Sequence, residues 1–371
     1  MSEQSARNIP FELYMNLVFL QVYVNNSKSL WFNVDTGLET SILDSGQAEA
    51  MGLKLVDKSN VNVPGGTIEL AFANDVSLKL SGIELSNQRV QTLPLTIFAP
   101  VLGRPIHGIL GHDLFKRFVV EIDYARQVIH LYEPNDYQYS GSGEIIPVTM
   151  ENDEPFMQAK IIQPERAPIE AKLKIDTGST DVLGLNGSFV QNVQLVNSTQ
   201  RVLPQPGVAL GGITENYVTR LSGLQIGTLF IKNPVAGYSK DLTRGGDAGT
   251  IGGGIFHRFK VIFDYSRGQM ILEKNKYFDE PYTYDASGLF LVAEGANFES
   301  LKVLRITENT PATIAGLREG DIILQIDGQP TGAFSLEQVR QMFEQERRSY
   351  SLTIERNGKI SETTLELRKL I

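Results

Sequence analysis

The sequence predicts a mainly β protein: two similar halves forming a bilobal unit, then a separate C-terminal module. Three observations point there. Short motifs recur at one constant spacing through the first 276 residues. The stretches between them are short apolar runs rich in β-branched and aromatic residues, the pattern of strands. The stretch 285–371 has no counterpart upstream and carries its own alternation of strand and helix signals.

The repeat is the strongest of the three. Asp35-Thr36-Gly37 returns as Asp176-Thr177-Gly178, 141 positions on. At the same spacing Leu80-Ser81-Gly82 matches Leu221-Ser222-Gly223, and Gly108 and Gly111 match Gly249 and Gly252. Arg117-Phe118 matches Arg258-Phe259, and Asp123-Tyr124-x-Arg126 matches Asp264-Tyr265-x-Arg267. A register held that long marks an internal duplication, with halves at 1–134 and 141–276 and a third unit at 285–371.

Leu17 to Val24 and Leu30 to Val34 read as the first strands, and Asp44 to Met51 as a short helix. Phe118 to Ile122 and Val128 to Tyr132 flank a turn, Asp123 to Gln127, and read as a hairpin. A turn of helix is expected after Gly111 and again after Gly252, and Asp153 to Ile175 repeats the early strands. Glu133 to Gly143, rich in Tyr, Ser, Gly and Asn, links the halves; Lys274 to Ser287, with Pro281, leads into the third unit. There the pattern gives strand Leu301 to Ile306, helix Pro311 to Ala315, strand Asp321 to Ile326 and helix Leu336 to Gln345. A hairpin from Tyr350 to Leu367 follows, turning at Asn357-Gly358. Leu336, Val339 and Phe343 have helical spacing and read as core.

Composition removes several function classes. The net charge of -9 leaves no basic footprint for nucleic acid. No apolar run is long enough for a membrane helix. Without cysteine there is no thiol nucleophile, disulfide or Cys-ligated metal. The four histidines, His107, His112, His130 and His257, lack ligand spacing, so neither metal nor cofactor is expected. No Gly-x-Ser-x-Gly elbow supports a serine hydrolase. Asp123 and Asp264 read as turn residues capping backbone amides.

Each Asp-Thr-Gly ends an apolar strand. That places an acid rigidly at a strand end, follows it with a hydroxyl, and then allows a tight turn at Gly37 or Gly178. A pseudo-two-fold relation would bring Asp35 and Asp176 face to face. Two carboxylates in contact cannot both ionise easily and share one proton. One then serves as general base on water while the other polarises a carbonyl.

On these residues the chain resembles aspartic proteases of the retropepsin and pepsin type, with both halves in one polypeptide. Asp35 to Leu43 is similar to the retropepsin signature, and Asp176 to Leu183 to both versions. The second family signature, two apolar residues before glycine, is matched by Ile109-Leu110-Gly111 and, with Thr250 as a departure, by Thr250-Ile251-Gly252. The resemblance implies retropepsin-like β-barrel halves, catalytic Asp35 and Asp176, and a supporting loop of Thr36, Gly37, Thr177, Gly178, Ser179, Gly111 and Gly252. Leu38 stands where pepsins place a serine, and the arginine often found after the second signature is missing. The expected flaps are weakly marked; Gly65 and Gly66 are the candidates in the first half, Gly211 and Gly212 in the second.

Pro311 to Ile323, continued by Leu324 to Pro330, resembles the central signature of bacterial PDZ domains. That implies a β-barrel with two helices and a groove where a peptide adds to a sheet edge. Gly288, Leu289, Phe290 and Leu291 are a loose version of the loop that holds the peptide's C-terminal carboxylate. The reading is an aspartic endopeptidase acting on peptide or unfolded protein, with a PDZ unit for a C-terminal peptide ligand. An inert binding or scaffold protein is the alternative. Analogy with bacterial PDZ proteases implies a periplasmic or secreted mature form; a cytoplasmic one stays open.

Overall fold

The computed structural model describes residues 5–63, 66–197, 200–210, 212–239 and 246–371. The fold is mainly β. One sheet is built entirely within residues 12–110 and another within 149–251. In the first, Ser29–Val34 runs parallel to Gly108–Leu110, with Phe32 opposite Gly108 and Val34 opposite Leu110. In the second, Ile169–Ile175 runs parallel to Gly249–Ile251, with Leu173 opposite Gly249 and Ile175 opposite Ile251. These pairs repeat the 141-residue spacing of the sequence motifs. Gly108 is required because the Phe32 ring lies where a Cβ would stand.

A third sheet runs beneath both. Its strand order is Ala6–Pro10, Val128–Tyr132, Val119–Asp123, Phe259–Asp264, Gln269–Lys274, Glu144–Pro147. The two middle strands are antiparallel, with Glu121 opposite Ile262. Their turns are stabilised locally. Asp123 Oδ1 accepts from Arg126 N (3.0 Å), and Asp264 accepts from Ser266 Oγ (2.6 Å) and Arg267 Nη1 (2.8 Å). One apolar cluster runs through all three sheets, including Val34, Leu110, Phe115, Ile175, Ile251 and Phe263.

The C-terminal sheet is ordered Leu289–Glu294, Ser300–Ile306, Ile322–Ile326, Ser349–Arg356, Lys359–Glu366. Asn357 and Gly358 take φ of 51° and 74°, the left-handed pair that a tight hairpin turn needs. Helix Leu336–Phe343 begins in a capping box: Ser335 Oγ accepts from Gln338 N (3.1 Å), and Gln338 Oε1 accepts from Ser335 N (2.8 Å). Leu336, Val339 and Phe343 are buried, as their spacing predicts. They belong to a cluster that also contains Phe19, Leu95, Leu102 and Ile106. The C-terminal unit therefore shares a core with the first half.

The short helix Ser45–Ala50 depends on Asp44, which is 3% exposed. Its Oδ1 accepts from Gln47 N (3.1 Å) and its Oδ2 from Leu95 N (2.9 Å). One side chain thus caps a helix and anchors a segment 51 residues away. Asp44→Ala should lower unfolding free energy by about 2–3 kcal/mol, since it strands two buried amides. Asp44→Asn should recover part of that loss. Urea unfolding at neutral pH measures both.

Candidate active site

The two Asp-Thr-Gly loops meet between the lobes. Thr36 N donates to Thr177 Oγ1 (3.0 Å) and Thr177 N to Thr36 Oγ1 (3.1 Å). The hydroxyls also donate across the interface, Thr36 Oγ1 to Ile175 O (2.8 Å) and Thr177 Oγ1 to Val34 O (2.9 Å). Both threonines are fully buried. Each satisfies a backbone donor and a backbone acceptor of the opposite loop, so the loops hold one another in register.

This grip brings the acids together. Asp35 N donates to Leu110 O (2.9 Å) and Asp176 N to Ile251 O (3.0 Å), tying each loop to the strand behind it. Gly37 N donates to Asp35 Oδ1 (2.7 Å) and Gly178 N to Asp176 Oδ1 (3.1 Å). A Cβ on Gly37 would stand 3.0 Å from Asp176 Cγ and 3.2 Å from Asp35 Oδ1, and one on Gly178 would overlap the Asp35 carboxyl. The two carboxyls therefore face the same small space at Gly37. Burial first, and then the Asp176 charge, hold the Asp35 carboxyl well above the usual carboxylate range. Burial raises Asp176 too, opposed by the Lys174 ammonium and by its hydrogen bonds.

The supporting residues lie behind. Gly111 N donates to Ser41 Oγ (3.1 Å), and a Cβ there would meet the Thr40 backbone at 2.7 Å. Gly252 N donates to Val182 O (3.2 Å) and Gly253 N to Ser179 O (2.9 Å). The position where the family often has an arginine holds His112, and the next residue, Asp113, braces the loop. Its Oδ2 accepts from Ser41 N (2.7 Å) and Thr40 Oγ1 (3.1 Å). Sequence reasoning missed Asp113.

Two hairpins carry the candidate flap glycines: Leu55–Val63 with Gly66–Leu80, and Leu203–Ala209 with Gly212–Arg220. Gly66 pairs with Val63 and Gly212 with Ala209, which places both at hairpin tips. Gly65 and Gly211 lie outside the described residues. Leu70 of the first hairpin and Leu210 of the second pack against the same apolar cluster as Leu38 and Phe98. A cavity of about 760 Å³ is lined by Thr180, Asp181, Gln205, Val101, Phe290 and Arg340, among others, and by neither aspartate of the pair.

The C-terminal groove is filled from within. Strand Leu289–Glu294 is an edge strand, and helix Ala99–Leu102 of the first half packs against it. Arg340 donates to Leu291 O (3.2 Å) and to Val101 O (3.1 Å), bolting the two together. Gly103, at φ 66°, lies so close to Leu336 that a Cβ on it would come within 2.7 Å. Glu337 Oε1 accepts from Met15 N (2.6 Å). The expected carboxylate loop is braced by its own neighbours. The amides of Ser287 (3.1 Å) and Gly288 (2.6 Å) donate to Asp285, and that of Leu289 to Ser287 Oγ (3.0 Å). Of the candidate residues, Gly288 and Leu289 thus have their amides engaged and Leu291 its carbonyl, while Phe290 lines the cavity beside Asp181. Asp285 thus takes the amide of Gly288 alone among the four candidate residues.

Comparison with known families agrees with the two units. A model described as aspartyl protease matches residues 20–114, and one described as PDZ domain matches 302–356. The chain therefore carries an aspartyl-protease domain and a C-terminal PDZ domain, the latter a peptide-binding fold. Asp176 lies outside the matched span. No curated protein matches the chain. Among the described residues no helix is long and apolar enough to cross a membrane.

Proposed function

We propose that the chain is an aspartic endopeptidase in which Asp35 and Asp176 act together on a water. The observation that carries this is the reciprocal Thr36–Thr177 grip, which holds two carboxyls against each other at the mouth between the lobes. A binding protein gains nothing from two buried like charges, which cost stability. On this reading 1–134 and 141–276 are duplicated halves, supported by strand pairs that recur at the repeat spacing.

The ionised carboxylate takes a proton from the water as its oxygen bonds to the scissile carbonyl carbon. The protonated carboxyl gives its proton to the carbonyl oxygen. The resulting gem-diol collapses as the C–N bond breaks: the departing nitrogen takes a proton from one carboxyl of the dyad, and a diol hydroxyl returns its proton to the other carboxylate. No covalent enzyme intermediate forms. Extended peptide would lie under the two hairpins, whose Gly66 and Gly212 stand at the tips as candidate flap residues. Past Asp181 it would meet Phe290 and Arg340, so the PDZ unit forms part of the cleft wall.

The test is incubation of the folded chain with an unfolded protein from pH 3 to 8. Cleavage should be blocked by a peptide carrying a secondary alcohol in place of the scissile carbonyl, which mimics the gem-diol. A folded chain that cleaves nothing across that range would sink the proposal.

A further inference from the structure

The dyad is not symmetric, because one strand leading to it carries a cation. Lys174 precedes Asp176 by two positions, so in an extended chain the two side chains leave the same face. The position 141 residues earlier holds Asn33. Lys174 is half-buried. Its Nζ donates to Glu154 Oε1 (3.0 Å) and lies 3.5 Å from Gly37 O, reaching from one lobe to the loop of the other. Lys174 is the last of three charged residues, Glu170, Lys172 and Lys174, that alternate with the buried Ala171, Leu173 and Ile175.

We propose that Lys174 is a positioning residue for the dyad: held by Glu154 against the first loop, its ammonium marks Asp176 as the carboxylate that bears the charge and Asp35 as the one that keeps the proton. This rests on the endopeptidase reading and adds roles to it. Asp176 becomes the base toward water, and Asp35 the donor to the carbonyl oxygen. The charged groups facing Lys174 are Glu154 on the neighbouring strand, Asp176 on its own, and Asp35 across the lobe interface. Lys172 is on the same strand but paired with Glu151 (2.5 Å), and Asp181 lies near enough to Asp176 to feel its charge. The relevant field at Asp176 is therefore the Lys174 cation against the Glu154 anion, with Asp35 protonated beside it. The direction found for the two acids agrees, since Lys174 is the largest influence lowering Asp176 and a lesser one on Asp35.

Lys174→Met, Lys174→Arg and Glu154→Gln in the full chain test this by two readouts. One is the pH profile of kcat/KM; the other is titration of ¹³C-labelled aspartate carboxyls. Loss of the cation should move both limbs of the profile up by about one pH unit, a roughly tenfold loss at a fixed pH on the acid limb. Loss of the Glu154 anion should move them down, and arginine at 174 should restore the parent profile. A merely structural role would not give opposite shifts. Titrations of Lys174→Met and Glu154→Gln that superimpose on the parent, or move the same way, overturn the proposal. If Lys174→Met does not fold, the downward shift in Glu154→Gln and the parent-like arginine variant decide it. A chain that cleaves nothing overturns the endopeptidase reading instead, and the carboxyl titration still judges Lys174.

Discussion

Asp35→Asn and Asp176→Asn should each reduce cleavage by at least ~10³-fold, since neither single carboxyl can supply both base and acid. Both variants should stay folded. Asparagine keeps the shape, and its amide oxygen can still accept from Gly37 N or Gly178 N. The same substitution should raise stability at neutral pH. The Asp35 carboxyl is held well above the usual range by burial and by Asp176. Below about pH 4, the ordinary value for an unfolded aspartate, folded and unfolded chains both hold the proton and asparagine changes little. As pH climbs through the folded value, the native state loses stability that asparagine does not lose. The gap between Asp35→Asn and parent should therefore open between about pH 4 and pH 7, reaching on the order of 1–3 kcal/mol. It should be smaller for Asp176→Asn, because Lys174 already offsets part of that charge. Denaturant unfolding at pH 4 and pH 7 measures it. A variant cleaving at the parent rate, or an Asp35→Asn chain weaker than the parent at pH 7, contradicts the account.

Arg340→Ala should free the C-terminal groove. The guanidinium satisfies Leu291 O and Val101 O together, so truncation leaves two carbonyls short of donors where the units meet. Such a loss weakens docking by about 2–3 kcal/mol. A groove competent in only a fraction of molecules binds with affinity reduced by that fraction. Affinity for a peptide with a free C-terminus should thus rise about tenfold or more in Arg340→Ala. Protease nicking within 95–104 should appear in the same variant, because that segment loses its cover. Titration of a labelled peptide and timed proteolysis read the two effects. Unchanged affinity with unchanged nicking would show that Arg340 does not hold the groove shut. Asp285 sets a further limit, since its carboxylate would still occupy the loop amides.

Much of the architecture is legible in the sequence because it is local or periodic. Alternating apolar residues at Leu17 to Val24 and Val128 to Tyr132 become strands Leu17–Val24 and Val128–Tyr132. Asn357-Gly358 becomes the hairpin turn, since few other pairs tolerate two positive φ angles. The helical spacing of Leu336, Val339 and Phe343 becomes a buried face. The spacing between the Asp-Thr-Gly motifs reappears as hydrogen bonds between Thr36 and Thr177, themselves 141 residues apart.

By itself, then, the sequence determined the strand pattern, the repeat and the pair of acids. Only the tertiary structure decided which neighbours those acids have. Lys174 reads as one polar residue in a strand until its ammonium is found beside the opposite loop at Gly37 O. Asp113 is one polar residue in the helical turn after Gly111 until its carboxylate is found on Ser41 N. The PDZ-like groove reads as open until Ala99–Leu102, Arg340 and Asp285 are seen to fill it. The physical reason is common to all three. Backbone preferences act over a few residues and leave a mark in the local pattern. Charge and packing act through space, between residues whose separation along the chain is set only once the sheets have closed.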